Sequence, residues 1–383
     1  MKKNINEINH IKNYISIKQN EYFTAYNNDV DKKLEEFKIN IENKKYKGIV
    51  IYPVAVNWYP IQRPHHFLRV MGENGYLCFF CEELHNEKFK IEEKYKNVFL
   101  INDQTKLIPL IKNRRVIILI TYFLQYIYAK FFPNSTLWFD VLDRLDFMSY
   151  YNEYSKKIYG ELVKNADIVT YSARNLKKYV KSRSDAYLCP NAVNAMDFLQ
   201  DKTEVKMPKD LEESIAKDKP IIGYYGAIEY WFDFDLIKKI DESNKYNIVI
   251  IGKINEDLLD NIEDYEFQNV KFLGPKKYLN LKKYGCFFDV AMIPFKISKL
   301  TNSVSPVKFF EYMAMHIPVI STNIYEMRKY RCDIVKIVNA KNVIEKIDSL
   351  LTDYNRYEII RQCDDIVSKN TWQKRMENIM EKF

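Results

Sequence analysis

The residues best suited to chemistry lie on one predicted helix in the C-terminal third of the chain. Lys308, Glu311 and Tyr312 are spaced at i, i+3 and i+4, so a helix would carry them on one face. Pro306 is typical of a first helical turn, and Ser305 before it is the predicted N-cap. The pattern therefore predicts a helix whose first turn and one polar face could together contact a ligand.

A helix start of this kind is suited to binding a diphosphate. Its first N–H groups have no partner within the helix, and its dipole is positive at that end. Lys308 would add a positive charge for the phosphates, and Glu311 could accept hydrogen bonds from the two hydroxyls of a ribose. The alternative is that Lys308 and Glu311 form an ordinary ion pair on the surface of the helix.

The segments around this helix alternate between short apolar runs and amphipathic stretches, the pattern of parallel sheets covered by helices. One set of apolar runs occupies residues 49–52, 76–81, 98–101, 116–120, 137–141, 168–171 and 186–188. A second set occupies residues 221–226, 248–252, 270–274, 289–294 and 318–322. Several runs of the second set end in Gly or Pro, at the strand edge where open α/β sheets bind ligands.

The two sets predict an α/β protein with two Rossmann-like parallel-sheet domains that face a central cleft. A charged, strand-poor stretch separates them. The predicted divisions are a helical N-terminal extension, an N-terminal Rossmann-like domain, a linker, a C-terminal Rossmann-like domain and a closing helix: 1–46, 47–199, 200–219, 220–370 and 371–383.

Composition supports a folded chain and limits its partners. The 383 residues are 47% hydrophobic and 15% aromatic, enough apolar surface for two cores. The net charge of +8 is spread along the sequence without an arginine-rich block, so a nucleic-acid partner is not expected. The same charge, with the aromatic stretch at 122–132, allows peripheral contact with the inner face of an acidic plasma membrane.

The cysteines and the N-terminus predict a cytoplasmic location. The six cysteines are mostly far apart, and the N-terminus has no apolar segment of the signal-peptide kind. Cys78 and Cys81 form a CxxC within an apolar run, where strand alternation would turn them to opposite faces, which favours a structural role. Residues 116–132 are too short and too polar for a membrane span and are predicted to be a buried strand followed by an aromatic helix.

The predicted helix resembles the donor-binding helix of the glycosyl transferases group 1 family, the retaining enzymes of GT-B fold. The family pattern P-x-K-x-x-E-Y-x-A followed by P-V-I-x-T matches residues 306–322. Residues 222–233 resemble the opening strand and glycine loop of the family's second domain. Residues 269–274 resemble its N-V-x-F-L-G strand near the base, and residues 289–295 its D-V-x-x-x-P-F strand.

The first half of the chain resembles a bacterial subgroup of this family that includes teichuronic acid glycosyltransferases. Trp58 and residues 62–66 match W-x(3)-Q-R-P-x-H, Asp143 matches an aspartate of the catalytic cleft, and residues 189–193 resemble P-N-G-V. The likeness covers residues 48–383 with its motifs in the family's order.

The resemblance implies a set of donor-binding residues in the second domain. They are Gly226, Ala227, Lys253, Gly274, Thr301, Ser305, Pro306, Lys308, Glu311 and Tyr312. The chain departs from the family at Ser303, where many members have a glutamate that contacts the donor sugar. It also departs at Ala227 and Phe232, near the places of the usual Arg and Lys pair.

Four residues of the first domain are predicted to act at the catalytic site. His65 and His66 could hydrogen-bond a sugar hydroxyl, and Arg63 could hold an anionic acceptor or a donor phosphate. Asp143 could orient or deprotonate the acceptor hydroxyl. Packing or helix capping is the alternative for the histidines, and helix capping is the alternative for Asp143.

The function expected from this resemblance is transfer of a hexose-type sugar, with retention of configuration, from a nucleotide sugar to a cell-surface glycan or glycolipid. A UDP-sugar is the favoured donor, and no metal or other cofactor is expected, because the helix dipole and basic side chains would stabilise the leaving diphosphate. Asp233 and Asp235 spell D-x-D but are predicted to be helix caps. The alternatives are a nucleotide-sugar epimerase of GT-B fold and a non-catalytic module that binds nucleotide sugar or glycan.

Overall fold

The chain folds into two compact units in a computed structural model. The first unit comprises residues 1–190 and 376–383, and the second comprises residues 191–375. The structure describes residues 2–83, 88–148, 151–199, 203, 205–352 and 355–383.

The first unit is built on an eight-stranded sheet within the described residues. The strands are β1 (Ile49–Tyr52), β2 (Leu77–Cys81), β3 (Ile91–Tyr95), β4 (Val98–Ile101), β5 (Val116–Ile120), β6 (Thr136–Val141), β7 (Ile168–Tyr171) and β8 (Tyr187–Leu188). Their order is β3-β4-β2-β1-β5-β6-β7-β8, and every pairing except β3 with β4 is parallel. β1, β2 and β5 to β7 are buried throughout, as expected of a parallel sheet covered on both faces.

Strand β3 was not predicted from the sequence. Its residues, Ile-Glu-Glu-Lys-Tyr, are mostly polar and half-buried or exposed, so they lack the apolar run that indicates a covered strand. It forms an antiparallel hairpin with β4 at the edge of the sheet, with a register shift between Glu93 and Tyr95. A polar strand is tolerated there because an edge strand pairs on one side only.

A long helix and a short one precede the first strand, in agreement with the predicted helical extension. The helices of the first unit are α1 (Lys2–Tyr26), α2 (Glu35–Glu42), α3 (Arg63–Glu73), α4 (Leu107–Ile111), α5 (Gln125–Ala129) and α6 (Glu153–Asn165). α1 packs against α4 and α5, and its Tyr22 joins the core of the unit. β5 followed by α5 confirms the predicted strand and aromatic helix of residues 116–132.

The second unit contains a six-stranded, fully parallel sheet within the described residues. Its strands are β9 (Ile221–Tyr225), β10 (Asn247–Ile251), β11 (Val270–Phe272), β12 (Val290–Ile293), β13 (Val319–Thr322) and β14 (Val335–Val338). The order is β11-β10-β9-β12-β13-β14. Five of these strands match the predicted apolar runs. β14 was missed because its Val-Lys-Ile-Val run is short and half-covered at the edge.

Helices cover this sheet and extend to the end of the chain. They are α7 (Ala195–Phe198), α8 (Lys209–Glu212), α9 (Phe234–Asp241), α10 (Leu259–Glu263), α11 (Leu281–Gly285), α12 (Val307–Ala314), α13 (Val343–Thr352), α14 (Arg356–Ser368) and α15 (Trp372–Met380). The predicted linker, 200–219, falls within the span of the second unit and includes α8, while 200–202 and 204 lie outside the described residues. Residues 376–383, in the predicted closing helix, group with the first unit.

No helix among the described residues has both the length and the apolar character needed to cross a bilayer.

Candidate functional site

Three glycines follow adjacent strands at the carboxyl edge of the second sheet. Gly226 follows β9 with φ of 140°, Gly252 follows β10, and Gly274 lies beyond β11 with φ of 66°. A Cβ atom at Gly252 would lie 1.8 Å from the carbonyl oxygen of Gly226, so the backbones meet where no side chain fits. The edge therefore exposes backbone that a ligand can approach closely. Gly252 was not among the predicted site residues, although its place at the end of an apolar run resembles that of Gly226.

Lys308 reaches this glycine edge from α12. A Cβ atom at Gly226 would lie 2.7 Å from Lys308 Cε and 2.9 Å from Nζ, so the ammonium group rests directly against the glycine. Nζ lies 5.1 Å from the ring centroid of Tyr224 and 5.0 Å from that of Phe295, a cation–π arrangement. Burial lowers the pKa of Lys308 to about 8, and the charge of Glu311 opposes this shift. Tyr224 and Phe295 were not predicted from sequence.

Glu311 lies one turn further along α12 and is 4% exposed. Burial raises the pKa of its carboxyl to about 7, while Tyr225 and Lys308 act in the opposite direction and Asp197 raises it further. Among the described residues, no ion pair within 4 Å involves Glu311 or Lys308. The alternative of a surface helical ion pair is therefore wrong, because both groups are held apart and Glu311 is buried.

Tyr312 anchors α12 to the sheet. The backbone N–H of Tyr225 donates to the Tyr312 hydroxyl at 3.0 Å, and the two rings meet edge to face with centroids 4.8 Å apart. This contact fixes the helical face that carries Lys308 and Glu311. The Tyr225 hydroxyl is buried beside the carboxyl of Glu311, so a ligand that reaches Glu311 could also meet this hydroxyl.

The start of α12 differs from the prediction. Ser305 is not the N-cap. Pro306 occupies that position, with a non-helical ψ of 111°, and no side chain caps the helix. Ser305 instead accepts a hydrogen bond from the Asn191 N–H at 3.2 Å, and the Asn191 side-chain amide donates to the Ser305 carbonyl at 2.6 Å. The Phe309 N–H donates to the Pro306 carbonyl, and no side chain occupies the amides of the first turn before it. Asn191 lies in the predicted P-N-G-V-like motif but was not assigned a role.

The remaining predicted donor residues surround this edge or support it. Ala227 is exposed, and its carbonyl accepts the Tyr224 hydroxyl at 2.8 Å. Lys253, also exposed, follows Gly252 directly. Thr301 is buried and donates to the Lys296 carbonyl at 2.6 Å, which holds the turn before α12. Ser303, in the place of the family glutamate, is buried and donates to the Lys299 carbonyl at 3.0 Å.

In the first unit, Arg63 is committed to a buried ion pair. Its Nε lies 2.6 Å from Asp140 Oδ2, and its Nη2 lies 3.0 Å from Oδ1. Thr170 also donates to Asp140 and accepts from the Trp138 indole at 2.8 Å. Arg63 is 7% exposed. The predicted anion-holding role does not fit this geometry, because the guanidinium already neutralises a buried carboxylate in a two-bond contact.

The two histidines of α3 are both buried. His65 Nδ1 lies 3.1 Å from the backbone nitrogen of Gln62 and 3.2 Å from its carbonyl oxygen, so the ring contacts the backbone at the start of α3. Burial lowers the pKa of the His65 ring to about 4, while backbone hydrogen bonds oppose the shift. His66 is 5% exposed, and burial lowers its pKa to about 3. Both rings are neutral at physiological pH, and His65 has the capping role given as its alternative.

Asp143 follows β6, and its side chain is exposed at the surface. Neighbouring atoms still desolvate the carboxyl enough to raise its pKa above the ordinary value. A carboxylate with a raised pKa accepts a proton more readily, which is compatible with the predicted role toward an acceptor hydroxyl. In the second unit, Asp233 caps α9 through the Leu236 N–H, so its predicted capping role is confirmed. The same prediction is wrong for Asp235, which lies inside α9 and accepts the Tyr265 hydroxyl at 2.7 Å.

The architecture of the chain and the sequence of its second unit are similar to those of known proteins. Residues 207–363 match the family model Glycosyl transferases group 1. The matched residues include α12 and the glycine edge, so the second unit is similar to the glycosyl transferases group 1 domain. The two Rossmann-like sheets form a GT-B architecture. Both the fold and the family resemblance expected from the sequence are confirmed.

Among individual proteins, the chain is similar to the putative teichuronic acid biosynthesis glycosyltransferase TuaH of Bacillus subtilis (strain 168). The two are 25% identical over 171 residues, which cover 43% of this chain and 42% of the relative. The fold is similar to that of sucrose-phosphate synthase from Thermosynechococcus elongatus, with a TM-score of 0.66 and 13% identity over 87% of this chain and 97% of that one. Anabaena HepE, solved in complex with UDP and glucose, has a TM-score of 0.66 and 10% identity over 87% and 98% of the two chains.

Proposed function

We propose that this chain is a retaining glycosyltransferase that moves a hexose-type sugar from a nucleotide sugar, with UDP as the favoured nucleotide, to a glycan or glycolipid acceptor. The observation that carries the proposal is Lys308. Its ammonium group is held without an ion pair in the described structure, against Gly226, beside the uncapped start of α12. A partly desolvated lysine without a carboxylate partner is costly unless an anionic ligand uses it.

Each part of the donor meets a suitable group in the second unit. The diphosphate contacts Lys308, the first amides of α12 and the backbone at Gly226. Glu311 accepts hydrogen bonds from the ribose hydroxyls, for which its carboxyl must be ionised. The base lies toward Gly274, where the structure leaves open space beside the backbone. The fixed positive groups stabilise the negative charge that develops on the leaving diphosphate, so we propose that transfer proceeds without a metal ion.

We assign activation of the acceptor hydroxyl to the first unit. Asp143 is exposed at the end of β6 with a raised pKa, so it can receive the proton of an acceptor hydroxyl. The name of the Bacillus subtilis relative supports a cell-envelope polysaccharide as the acceptor class. We propose a cytoplasmic protein whose basic charge allows peripheral contact with the inner membrane face.

The first test of this proposal is nucleotide binding measured by thermal shift with UDP, GDP and dTDP. A ligand that binds only the folded state raises its melting temperature. We expect UDP to stabilise the wild type, and Lys308→Met and Glu311→Gln to abolish most of that response. Glu345→Gln, at an exposed position on α13, is the matched control and should keep it.

The same samples separate the proposal from its alternatives. Release of UDP from UDP-glucose that depends on an added acceptor identifies a transferase, and isomerisation of the donor without acceptor identifies an epimerase. Ser303 provides no carboxylate toward a donor sugar, which favours a binding module if UDP binds and no transfer occurs. Equal, small responses of the wild type and both variants to all three nucleotides would refute the donor site.

A further inference from the structure

A polar pocket of about 620 Å³ lies in the first unit, away from every residue assigned a role so far. One wall is α1, through residues including Tyr14, Lys18 and Glu21. The opposite wall is formed where β1, β2 and β4 end, at Val54, Glu82 and the residues that follow Ile101. The carboxyl ends of parallel strands are where open α/β sheets bind ligands, and this volume is in the range of small-molecule sites.

The charge of the lining is strongly one-sided. Four carboxylates line the pocket, those of Glu21, Glu82, Glu83 and Asp103, against a single lysine. That lysine, Lys18, is paired with Glu21 at 2.9 Å, so its charge is already offset. An anionic ligand would therefore meet net repulsion across the pocket.

The carboxylates nevertheless keep free hydrogen-bonding capacity. Glu82 accepts the Trp58 N–H through Oε2, and Asp103 accepts the Thr105 N–H and hydroxyl through Oδ1, which leaves one oxygen of each carboxylate available. Glu83 is exposed and has no hydrogen bond or ion pair within the described structure. Carboxylate oxygens accept hydrogen bonds from hydroxyl groups without transferring a proton at neutral pH.

The rest of the lining supplies the other groups that a sugar needs. The Asn28 side-chain amide can donate as well as accept, and the hydroxyl oxygens of Thr24 and Thr105, whose protons go to Asn20 and Asp103, can still accept. The half-buried ring of Tyr14 offers an aromatic face. Residues 1–46, which contribute α1, lie outside both the match to the family model and the resemblance that begins at residue 48. One wall of the pocket therefore comes from a segment outside the matched residues.

We propose that α1 and the ends of β1, β2 and β4 form a subsite for an uncharged sugar unit of the acceptor, and that the carboxylates exclude anionic sugars from it. The role of this sugar as an acceptor rests on the proposed transfer function, but binding of the sugar at this pocket is independent of the donor site. It assigns to the N-terminal helix a direct part in acceptor choice.

The test is a ligand-observed NMR titration of the full chain with methyl β-glucoside and with methyl β-glucuronide. We expect the glucoside to bind, and the glucuronide to bind at least about tenfold more weakly because of the carboxylates. Glu83→Gln should weaken glucoside binding about tenfold by removing a charged acceptor. Glu36→Gln, an exposed carboxylate on α2 away from the pocket lining, is the matched control and should leave binding unchanged.

A second variant tests the location without altering charge. Thr24 lies on the exposed side of α1, so Thr24→Trp should fill the pocket while the fold is retained, and glucoside binding should be lost. Equal binding of the two glycosides, unchanged binding by Thr24→Trp, or absence of glucoside binding would each overturn the subsite. UDP binding by the same samples keeps the two proposals apart, since a chain that binds UDP but no glucoside retains its donor site and loses only this inference.

Discussion

Replacing Lys308 with methionine should make the protein more stable and weaken nucleotide binding. Burial lowers the pKa of Lys308 from 10.5 to about 8, and at about 1.4 kcal/mol per pKa unit the charged form costs the folded chain about 3 kcal/mol. Partial solvent contact of the side chain reduces this to about 1 to 2 kcal/mol. Methionine keeps much of the length and removes the charge, so most of that cost disappears.

The sign of this effect depends on pH. A lysine with a lowered pKa destabilises the folded state fully below the folded value of about 8, and the penalty fades as the pH rises toward 10.5. The gain from Lys308→Met is therefore expected at pH 7 and should largely vanish near pH 10. For a unit of this size, about 1 to 2 kcal/mol corresponds to a rise in melting temperature of about 2 to 8 °C.

The same substitution, Lys308→Met, should weaken nucleotide binding while it stabilises the fold. Loss of one charge-assisted contact to a diphosphate, worth about 1.5 to 3 kcal/mol, weakens UDP binding by about ten- to hundredfold. Scanning fluorimetry without ligand measures the first effect, and calorimetric titration with UDP measures the second. Lys341→Met, at an exposed lysine, is the control and should change neither. A Lys308→Met protein that melts lower and binds UDP as well as the wild type would refute both the burial cost and the phosphate role.

Further predictions concern pH, the glycine edge and the buried network. UDP affinity should be greatest between pH 7 and 8, because Lys308 loses its proton above about 8 and Glu311 gains one below about 7. Calorimetric titration across pH measures this dependence. In the Glu311→Gln variant, the residual UDP affinity should no longer fall because of residue 311 below pH 7. Gly252→Ala should lower the free energy of unfolding by more than about 2 kcal/mol, since its Cβ would lie 1.8 Å from a backbone oxygen. Gly160→Ala, at a helical position with open space around it, should raise that free energy by about 1 kcal/mol. An unchanged stability of Gly252→Ala in denaturant melts would contradict the close approach. Asp140→Asn should cost about 3 to 5 kcal/mol in the same melts, because it leaves a buried guanidinium without its counter-charge.

Apolar strands were the part of the fold most accessible from sequence. β9 and β10 are predictable because nearly all of their residues are aliphatic or aromatic, as expected of parallel strands covered on both faces. β3 and β14 lack that signal because edge strands are covered less. Short edge strands are identified by their partners in the sheet, and single-sequence periodicity does not contain that information.

The site was predictable where local spacing determines it and not where tertiary packing does. The face shared by Lys308 and Glu311 follows from helical periodicity alone. The pairing of Arg63 with Asp140 joins residues 77 positions apart, and no local pattern distinguishes it from a ligand-binding arginine. Ser305 was mistaken for a cap for the same reason, because its hydroxyl is used by Asn191, 114 residues earlier in the chain.

The hairpin of β3 and β4 has a consequence for the behaviour of the protein in concentrated solution. Without β3, the apolar strand β4 would present an open row of backbone donors and acceptors to other molecules. β3 occupies that row and presents Glu92, Glu93 and Lys94 in its place, with a register shift that disturbs further pairing. Charged, irregular margins of this kind resist intermolecular strand addition, so deletion of residues 91–95 should lead to aggregation before any loss of the remaining sheet.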